Sequence, residues 1–266
     1  MPHGGKTDAY RAFFENIHRL KESGCPSESG KPWEGMSIPD RVGSILDVGC
    51  ADGEFLHSLP DSYRKTGVDV SSLPLKRVRC PTVVASVGGL PFRSLAFDLV
   101  TCFEVLEHLP QGTFRTALSE LQRISRKYIV VTVPNRQNLE QALVRCPQCF
   151  CRYHPDWHVR SFEKRTLSPL FRDFRLFRLE ECGPFTEDYP GFLNFVCSLY
   201  RRDPPAHGVC PQCGFTAFDE GRDVSETVPA DPGPTRWNFV KGIASRFRTG
   251  KRHYWIRGFY ERVNPG

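Results

Sequence analysis

Short apolar runs alternate with amphipathic segments along most of the chain. The apolar runs predict strands over 44–49, 65–70, 82–85, 98–103 and 127–133. Apolar residues at helical spacing predict helices that begin at about residue 53 and that cover 113–125 and 163–172. Two later strands are predicted over 175–182 and 192–200. Because strands and helices alternate, we predict an α/β fold with a parallel sheet covered by helices on both faces.

The first predicted strand runs directly into a glycine loop. Gly49 and Gly53 follow the apolar run, and a helical segment begins after them. This strand–loop–helix arrangement brings backbone close to a nucleotide-like ligand. Asp69 ends the second predicted strand, about twenty residues past the loop. A carboxylate at that position can accept hydrogen bonds from both ribose hydroxyls of an adenosine.

Five ordered motifs extend over roughly residues 40–200. They are Asp47-Val-Gly-Cys-Ala-Asp-Gly, Gly67-Val-Asp-Val-Ser, Leu90-Pro-Phe-Arg-Ser-Leu-Ala-Phe-Asp-Leu-Val, Cys102-Phe-Glu-Val-Leu-Glu-His-Leu-Pro and Val130-Val-Thr-Val-Pro-Asn. In these motifs the chain resembles the class I S-adenosylmethionine (SAM)-dependent methyltransferases. The resemblance implies a Rossmann-like, seven-stranded sheet whose last strand is antiparallel. An NAD-binding interpretation is disfavoured, because the loop lacks the third spaced glycine of G-x-G-x-x-G.

The resemblance also implies which residues hold SAM. The glycine loop would let backbone approach the amino-acid part, Asp47 would fix the loop, and Asp69 would take the ribose. Ser86 stands where many relatives place an aspartate for the adenine amino group, and Ala51 replaces a common glycine. The predicted cofactor contacts are Asp47, Gly49, Cys50, Ala51, Gly53, Asp69, Val70, Ser86, Val87 and Phe103.

A second group of polar residues follows the strand over 98–103. Glu104, Glu107 and His108 would share one face if this segment is helical, and two carboxylates with an imidazole can hold Mg²⁺. Similar segments bind a metal in the ubiquinone-pathway O-methyltransferases and in the small-RNA 2′-O-methyltransferases. The second family supplies another histidine downstream, and His158 is its counterpart here. Pocket lining, with catalytic His108 or His158 as general base, and a structural role are the alternatives.

Two near-identical cysteine pairs have the spacing of metal ligands. Cys146-Pro-Gln-Cys149 and Cys210-Pro-Gln-Cys213 predict one shared structural zinc, since four thiolates leave no open coordination position. Redox thiols and isolated turns are the alternatives. Three neighbours of the first pair rank below the second pair as ligands: Cys151, His154 and His158. We interpret residues 137–160 as an insertion that shapes the acceptor side of the pocket.

Composition and charge narrow the class of protein. A hydrophobic content of 39% with 12% aromatic residues favours a packed core over disorder. The sequence shows neither a run of about eighteen apolar residues nor an apolar signal segment, so we expect a cytoplasmic protein. The net charge of +6 is concentrated after residue 235, with eight Lys or Arg against one Glu. This distribution disfavours a broad nucleic-acid-binding face.

The two ends of the chain carry amphipathic patterns. Residues 8–22 predict a helix that packs on the sheet or covers the ligand, and 23–40 predict a linker. The methyltransferase domain is expected over 41–203, followed by the second cysteine pair, a linker and a basic amphipathic tail over 204–266. The tail is predicted as a helix near 237–247, and the apolar stretch from Tyr254 repeats its pattern. Peripheral membrane contact, docking on the domain and dimerisation all remain open for it.

These observations predict a SAM-dependent methyltransferase that acts on an oxygen of a small-molecule, sugar or lipid-linked acceptor. An RNA methyltransferase that uses the zinc module and the basic tail is one alternative. A SAM-binding scaffold without catalysis is the other.

Overall fold

A seven-stranded sheet forms the centre of the protein. The computed structural model describes residues 13–15, 30–140, 143–188, 208–216 and 250–263. The strand order in the sheet is β3-β2-β1-β4-β5-β9-β8, and β6 and β7 form a separate two-stranded sheet. The strands are β1 (Ser44–Val48), β2 (Arg64–Asp69), β3 (Thr82–Val84), β4 (Phe97–Phe103), β5 (Ser125–Pro134), β6 (Val144–Arg145), β7 (Arg152–Tyr153), β8 (Phe174–Asp188) and β9 (Gly250–Arg262).

The first five strands of the large sheet pair in parallel. Their carboxyl ends therefore meet at one edge, which is where ligands bind in open α/β sheets. Strand β9 pairs antiparallel with β5, with Thr132 opposite Arg257 and Ile129 opposite Tyr260. The predicted α/β class is confirmed. The sheet does contain an antiparallel strand, but that strand is β9, whereas we predicted the last strand over 192–200.

Short helices connect the strands. They are α1 (Glu54–Ser58), α2 (Ser72–Leu75), a 3₁₀ helix (Leu106–His108), α3 (Gln111–Ile124) and α4 (Lys164–Leu167). Helix α3 buries Ala117, Leu121 and Ile124, which lie on one helical face. Helix α4 is shorter than the predicted 163–172, because Pro169 has no N–H with which to continue the helix.

Both faces of the large sheet are buried. Neighbouring residues of a strand point to opposite faces, so Leu46 and Val100 lie in one core while Ile45 and Leu99 lie in the other. All four side chains are fully buried. Burial on both faces explains why these strands are continuous apolar runs rather than alternating ones.

The end of the chain differs from the prediction. Residues 250–262, which we assigned to an amphipathic tail outside the domain, form strand β9 inside the sheet. The apolar residues Ile256, Phe259 and Tyr260 are buried there and are not available for a membrane surface. The strand predicted over 175–182 is confirmed within β8. The predicted strand over 192–200 and the predicted tail helix near 237–247 lie outside the described residues.

The chain divides into two compact units. One contains 1–28, 138–159 and 185–252; the other contains 29–137, 160–184 and 253–266. Of the helix predicted over 8–22, the described residues 13–15 are helical and the rest lies outside the described part. Among the residues that the structure describes, no helix is long and apolar enough to span a membrane.

Candidate functional site

The loop after β1 has a backbone that requires glycine. Gly49 has a φ of 81° and Gly53 a φ of 78°, both in the left-handed region. The Gly49 N–H donates to the Val68 carbonyl at 2.7 Å, which holds the loop against the end of β2. A Cβ at position 49 would lie 2.3 Å from Cγ2 of Val105. The loop therefore depends on glycine for both its conformation and its close packing.

Asp69 joins the end of β2 to this loop. Its Oδ2 accepts a hydrogen bond from the Ala51 N–H at 3.0 Å, and its Oδ1 accepts one from the Ser71 N–H at 2.8 Å. Burial raises the pKa of the Asp69 carboxyl, and the backbone donors oppose that rise. Each carboxylate oxygen keeps a second lone pair, so the group can still accept hydrogen bonds from a ligand.

Asp47 is buried in β1, the strand next to the one that contains Asp69. Thr101, its register partner on β4, donates to its Oδ1 at 2.7 Å. Burial raises the pKa of Asp47 to about 7, the Thr101 hydrogen bond opposes the rise, and the nearby charge of Asp69 adds to it. The contact with Thr101 could not be predicted from the sequence, because it depends on the register of β1 with β4.

The other predicted cofactor contacts surround the carboxyl ends of the strands. Ser86 is exposed, and its Oγ accepts a 3.3 Å hydrogen bond from the Gly88 N–H. Val70 is half-buried, and the buried residues are Cys50, Val87 and Phe103. Position 67 also requires glycine, which the sequence analysis did not identify. A Cβ there would lie 2.6 Å from Sγ of Cys50.

The segment after β4 does not form the single helix that would place Glu104, Glu107 and His108 on one face. Glu104 has a φ of 53° and precedes the 3₁₀ helix that contains Glu107 and His108. Among the described residues, Glu104 belongs to no group of side chains that lie close enough to hold an ion. The predicted Mg²⁺ site of Glu104, Glu107 and His108 is therefore not formed, because the left-handed turn at Glu104 separates it from the other two.

Glu107 is fully buried, and its carboxyl oxygens accept no hydrogen bond from the described residues. One oxygen lies 4.0 Å from Nε2 of His108. Burial raises the pKa of the Glu107 carboxyl well above its ordinary value.

The second predicted proton acceptor belongs to the other unit. His158 is buried and stacks on His154, with ring centroids 4.7 Å apart and ring planes inclined by 16°. Nδ1 of His154 accepts a hydrogen bond from the Asp156 N–H at 3.2 Å. His108 thus belongs to one compact unit and His158 to the other.

The four predicted zinc ligands lie together. Sγ of Cys146 is 3.6 Å from Sγ of Cys213, and Sγ of Cys149 is 3.5 Å from Sγ of Cys210. All four sulfurs lie within 4.8 Å of one another. A tetrahedral zinc with Zn–S bonds of about 2.3 Å needs S···S separations of about 3.8 Å. The cluster therefore fits one zinc ion.

The two cysteine turns have the same backbone hydrogen bonds. Phe150 N–H donates to the Cys146 carbonyl at 3.0 Å, and Gly214 N–H donates to the Cys210 carbonyl at 2.9 Å. Burial raises the pKa of the Cys146 thiol, but hydrogen bonds from backbone N–H groups, that of Cys149 foremost, outweigh it and lower the pKa to about 7. Such donors stabilise a thiolate, which is the form that binds zinc.

A small core surrounds this cluster. Phe13 is fully buried and stacks on Trp157, with ring centroids 5.3 Å apart and planes inclined by 14°. Nε1 of Trp157 donates to the Val209 carbonyl at 2.7 Å. The N-terminal segment and both cysteine turns therefore share one hydrophobic cluster.

Parts of the sequence are similar to known proteins. Residues 46–128 match the family described as a methyltransferase domain. The chain is 34% identical over 171 residues to an uncharacterized protein of Methanocaldococcus jannaschii, covering 60% of this chain and 63% of that protein. It is 29% identical over 90 residues to the ubiquinone biosynthesis O-methyltransferase of Albidiferax ferrireducens, covering 29% of this chain and 36% of that enzyme. The chain thus spans less than two thirds of the length of these relatives.

Solved structures support the fold. A chain of the complex that contains the Haloferax volcanii Trm112 methyltransferase activator matches with a TM-score of 0.52 and 14% identity, over 99% of this chain and 100% of that one. The Burkholderia thailandensis 1,6-didemethyltoxoflavin-N1-methyltransferase, solved with S-adenosylhomocysteine, matches with a TM-score of 0.50 and 11% identity, over 99% of this chain and 93% of that one. At these identities the likeness shows a shared fold.

Proposed function

We propose that this chain, whose residues 46–128 match a methyltransferase-domain family, is a class I SAM-dependent methyltransferase that binds SAM and transfers its methyl group to an acceptor. The observation that carries the proposal is the Gly49–Gly53 loop joined to the Asp69 carboxylate. This arrangement leaves backbone N–H groups and a carboxylate together at the carboxyl edge of β1 and β2, where a nucleoside binds in such sheets.

Each part of the site has a proposed role in holding the cofactor. Asp69 accepts hydrogen bonds from the ribose hydroxyls, and the loop contacts the amino-acid portion. Asp47 keeps the loop in place through Thr101 and the end of β1. The other residues proposed to contact the cofactor are Cys50, Ala51, Val70, Ser86, Val87 and Phe103. When bound, SAM supplies a methyl group on a sulfonium, which is already activated for transfer.

The protein must then orient the acceptor and remove its proton. We assign an oxygen acceptor on a small molecule, a sugar or a lipid-linked compound, with His108 or His158 as the proton acceptor. The partial match to an O-methyltransferase supports an oxygen acceptor. His108 ends the 3₁₀ helix that follows β4, beyond the carboxyl end of the strand, where the ligand is expected.

The cysteine cluster is assigned to structural zinc. The sulfur separations fit a tetrahedral site, and four thiolates leave no position for a substrate. The metal would therefore stabilise the unit that contains it rather than take part in methyl transfer.

Methyl transfer from labelled SAM to a panel of phenolic, sugar and lipid-linked hydroxyl acceptors tests the assignment. Replacing the proton acceptor by alanine is expected to lower kcat by about 10²- to 10⁴-fold. Affinity for S-adenosylhomocysteine should stay unchanged in the same variant. If a folded, SAM-binding protein transfers no methyl group to any of these classes, the oxygen-acceptor assignment is wrong. If neither His108→Ala nor His158→Ala lowers kcat, neither residue is the proton acceptor.

A further inference from the structure

The segment that we predicted as a linker is fixed to the sheet at Pro32. The Pro32 carbonyl accepts hydrogen bonds from Thr132 Oγ1 at 3.1 Å, from Arg257 Nε at 3.2 Å and from Arg257 Nη2 at 2.9 Å. Thr132 and Arg257 are register partners on β5 and β9. The chain at Pro32 is therefore attached to two neighbouring strands of the sheet.

Arg257 is a buried cation that holds this segment in one conformation. Its side chain is 1% exposed, donates to the Glu34 carbonyl at 3.0 Å and pairs with Glu180 Oε2 at 3.0 Å. A buried guanidinium is tolerated only where its donors are satisfied, and these partners satisfy them. The position of the residue between Pro32 and Glu34, which is Trp33, is thus defined by main-chain contacts on both sides.

Trp33 completes a group of three aromatic rings beside the glycine loop. Its ring centroid lies 6.0 Å from that of Phe103 and 5.8 Å from that of Phe55. Phe55 and Phe103 meet edge to face at 5.0 Å. Phe103 ends β4 and Phe55 lies in the first turn after Gly53, so the group stands at the edge where the cofactor is expected.

The surroundings of Trp33 accept positive charge. Lys31 Nζ lies 5.8 Å from the Trp33 ring centroid and 3.4 Å from Glu54 Oε2. An aromatic face attracts a cation within about 6 Å, and indole does so most strongly. SAM carries a positive sulfonium, whereas its product S-adenosylhomocysteine carries a neutral thioether.

We propose that Trp33, together with Phe103, contacts the bound cofactor and favours the sulfonium of SAM over the neutral thioether of S-adenosylhomocysteine. This inference rests on the proposed function, because it concerns the same cofactor site. Arg257 acts as a positioning residue, since it donates to the carbonyls of Pro32 and Glu34 on either side of Trp33. The consequence is a site that keeps its substrate and releases its product more readily.

Calorimetric titration of the full chain with SAM and, separately, with S-adenosylhomocysteine tests the inference. Trp33→Leu is expected to weaken SAM about tenfold and S-adenosylhomocysteine less than about threefold. Trp33→Phe, which keeps an aromatic face, should lose less SAM affinity than Trp33→Leu. Phe97→Leu is the matched control, because Phe97 lies at the opposite end of β4 in a comparable edge-to-face pair with Phe92. It should change neither affinity.

The outcomes separate this inference from the proposed function. If Trp33→Leu weakens both ligands equally or neither, while the wild type binds both, then Trp33 only packs and the inference is wrong. If the folded wild type binds neither ligand, the proposed function itself fails and the inference fails with it. Circular dichroism and thermal unfolding of each variant show whether a lost affinity reflects lost fold.

Discussion

The N–H of Ala51 donates a hydrogen bond of 3.0 Å to Oδ2 of Asp69, and this contact joins the glycine loop to the end of the neighbouring strand. It does so from a strained position, because Ala51 has a φ of 48°. The backbone of the loop therefore has a conformation that two glycines permit and that the Asp69 carboxylate stabilises.

Replacing Gly49 by alanine should disrupt this loop. The new Cβ would lie 2.3 Å from Val105 Cγ2, at a φ of 81°. We expect a loss of about 2–4 kcal/mol in the free energy of unfolding and a loss of S-adenosylhomocysteine binding. Chemical denaturation and calorimetry measure both. Combining the change with Val105→Ala should recover part of the stability, because the overlap is removed while the left-handed φ remains.

Gly112→Ala is the matched control for that prediction. Nothing lies within 4 Å of a Cβ at position 112, which is in the first turn of α3. Alanine there should leave ligand binding unchanged and stabilise the protein slightly, by up to about 1 kcal/mol. An equal loss of stability in both variants would contradict the close packing at Gly49.

Ala51→Gly should stabilise the loop. Glycine adopts a φ of 48° without the steric penalty that alanine carries, although it loses more conformational entropy on folding. The net gain is expected to be at most about 1 kcal/mol in the free energy of unfolding. A thermal unfolding midpoint below that of the wild type would show that the position is not strained.

The buried carboxyl of Asp47 should make stability depend on pH. Its pKa is raised by burial from 3.8 to about 7 in the folded state. The unfolded chain therefore loses this proton first, and the native state loses stability as the pH rises from about 4 to about 7. Asp47→Asn removes the titration, so the variant should gain stability relative to the wild type across that window and no further above it. A difference in unfolding free energy that stays constant between these pH values would contradict the buried, raised carboxyl.

Metal analysis tests the cysteine cluster. We expect about one zinc per chain in the purified protein, and its loss in Cys146→Ser or Cys210→Ser. Chelation should change the fluorescence of Trp157, because Trp157 and the cysteines share one small core. Cys80→Ser is the control, since Cys80 lies in the other unit and should leave the zinc content unchanged. Full zinc content in both ligand variants would exclude this cluster as the site.

The sequence predicts some parts of this fold better than others, for physical reasons. Strands β1 to β5 are predicted to within two residues at each end. The signal is clearest for β1 and β4, because burial on both faces makes them largely apolar. Strand β9 was assigned to a tail, since its apolar residues are interrupted by Arg252 and Arg257, which are themselves buried. A buried arginine satisfied by distant carbonyls gives no local signal in the sequence.

In the candidate site too, some residues could be predicted from the sequence and others could not. Gly49, Gly53 and Asp69 could be predicted, because a glycine loop after a strand and an acid at the end of the next strand are patterns visible in the sequence. Thr101 and Trp33 could not, because each acts through a partner that only the strand register or the folded segment brings near. The polar face expected after β4 fails for a local reason, which is the left-handed turn at Glu104.

Calorimetric titration of S-adenosylhomocysteine into the purified protein tests the central claim most directly. We predict micromolar binding by the wild type, retained in Asp61→Ala, whose exposed carboxylate pairs with Lys65 at the opposite end of β2. Asp69→Ala should lose that binding, because it removes the only carboxylate that accepts from the loop at Ala51 among the described residues. Absence of binding by a folded wild-type protein, or unchanged binding by Asp69→Ala, would contradict the proposed cofactor site.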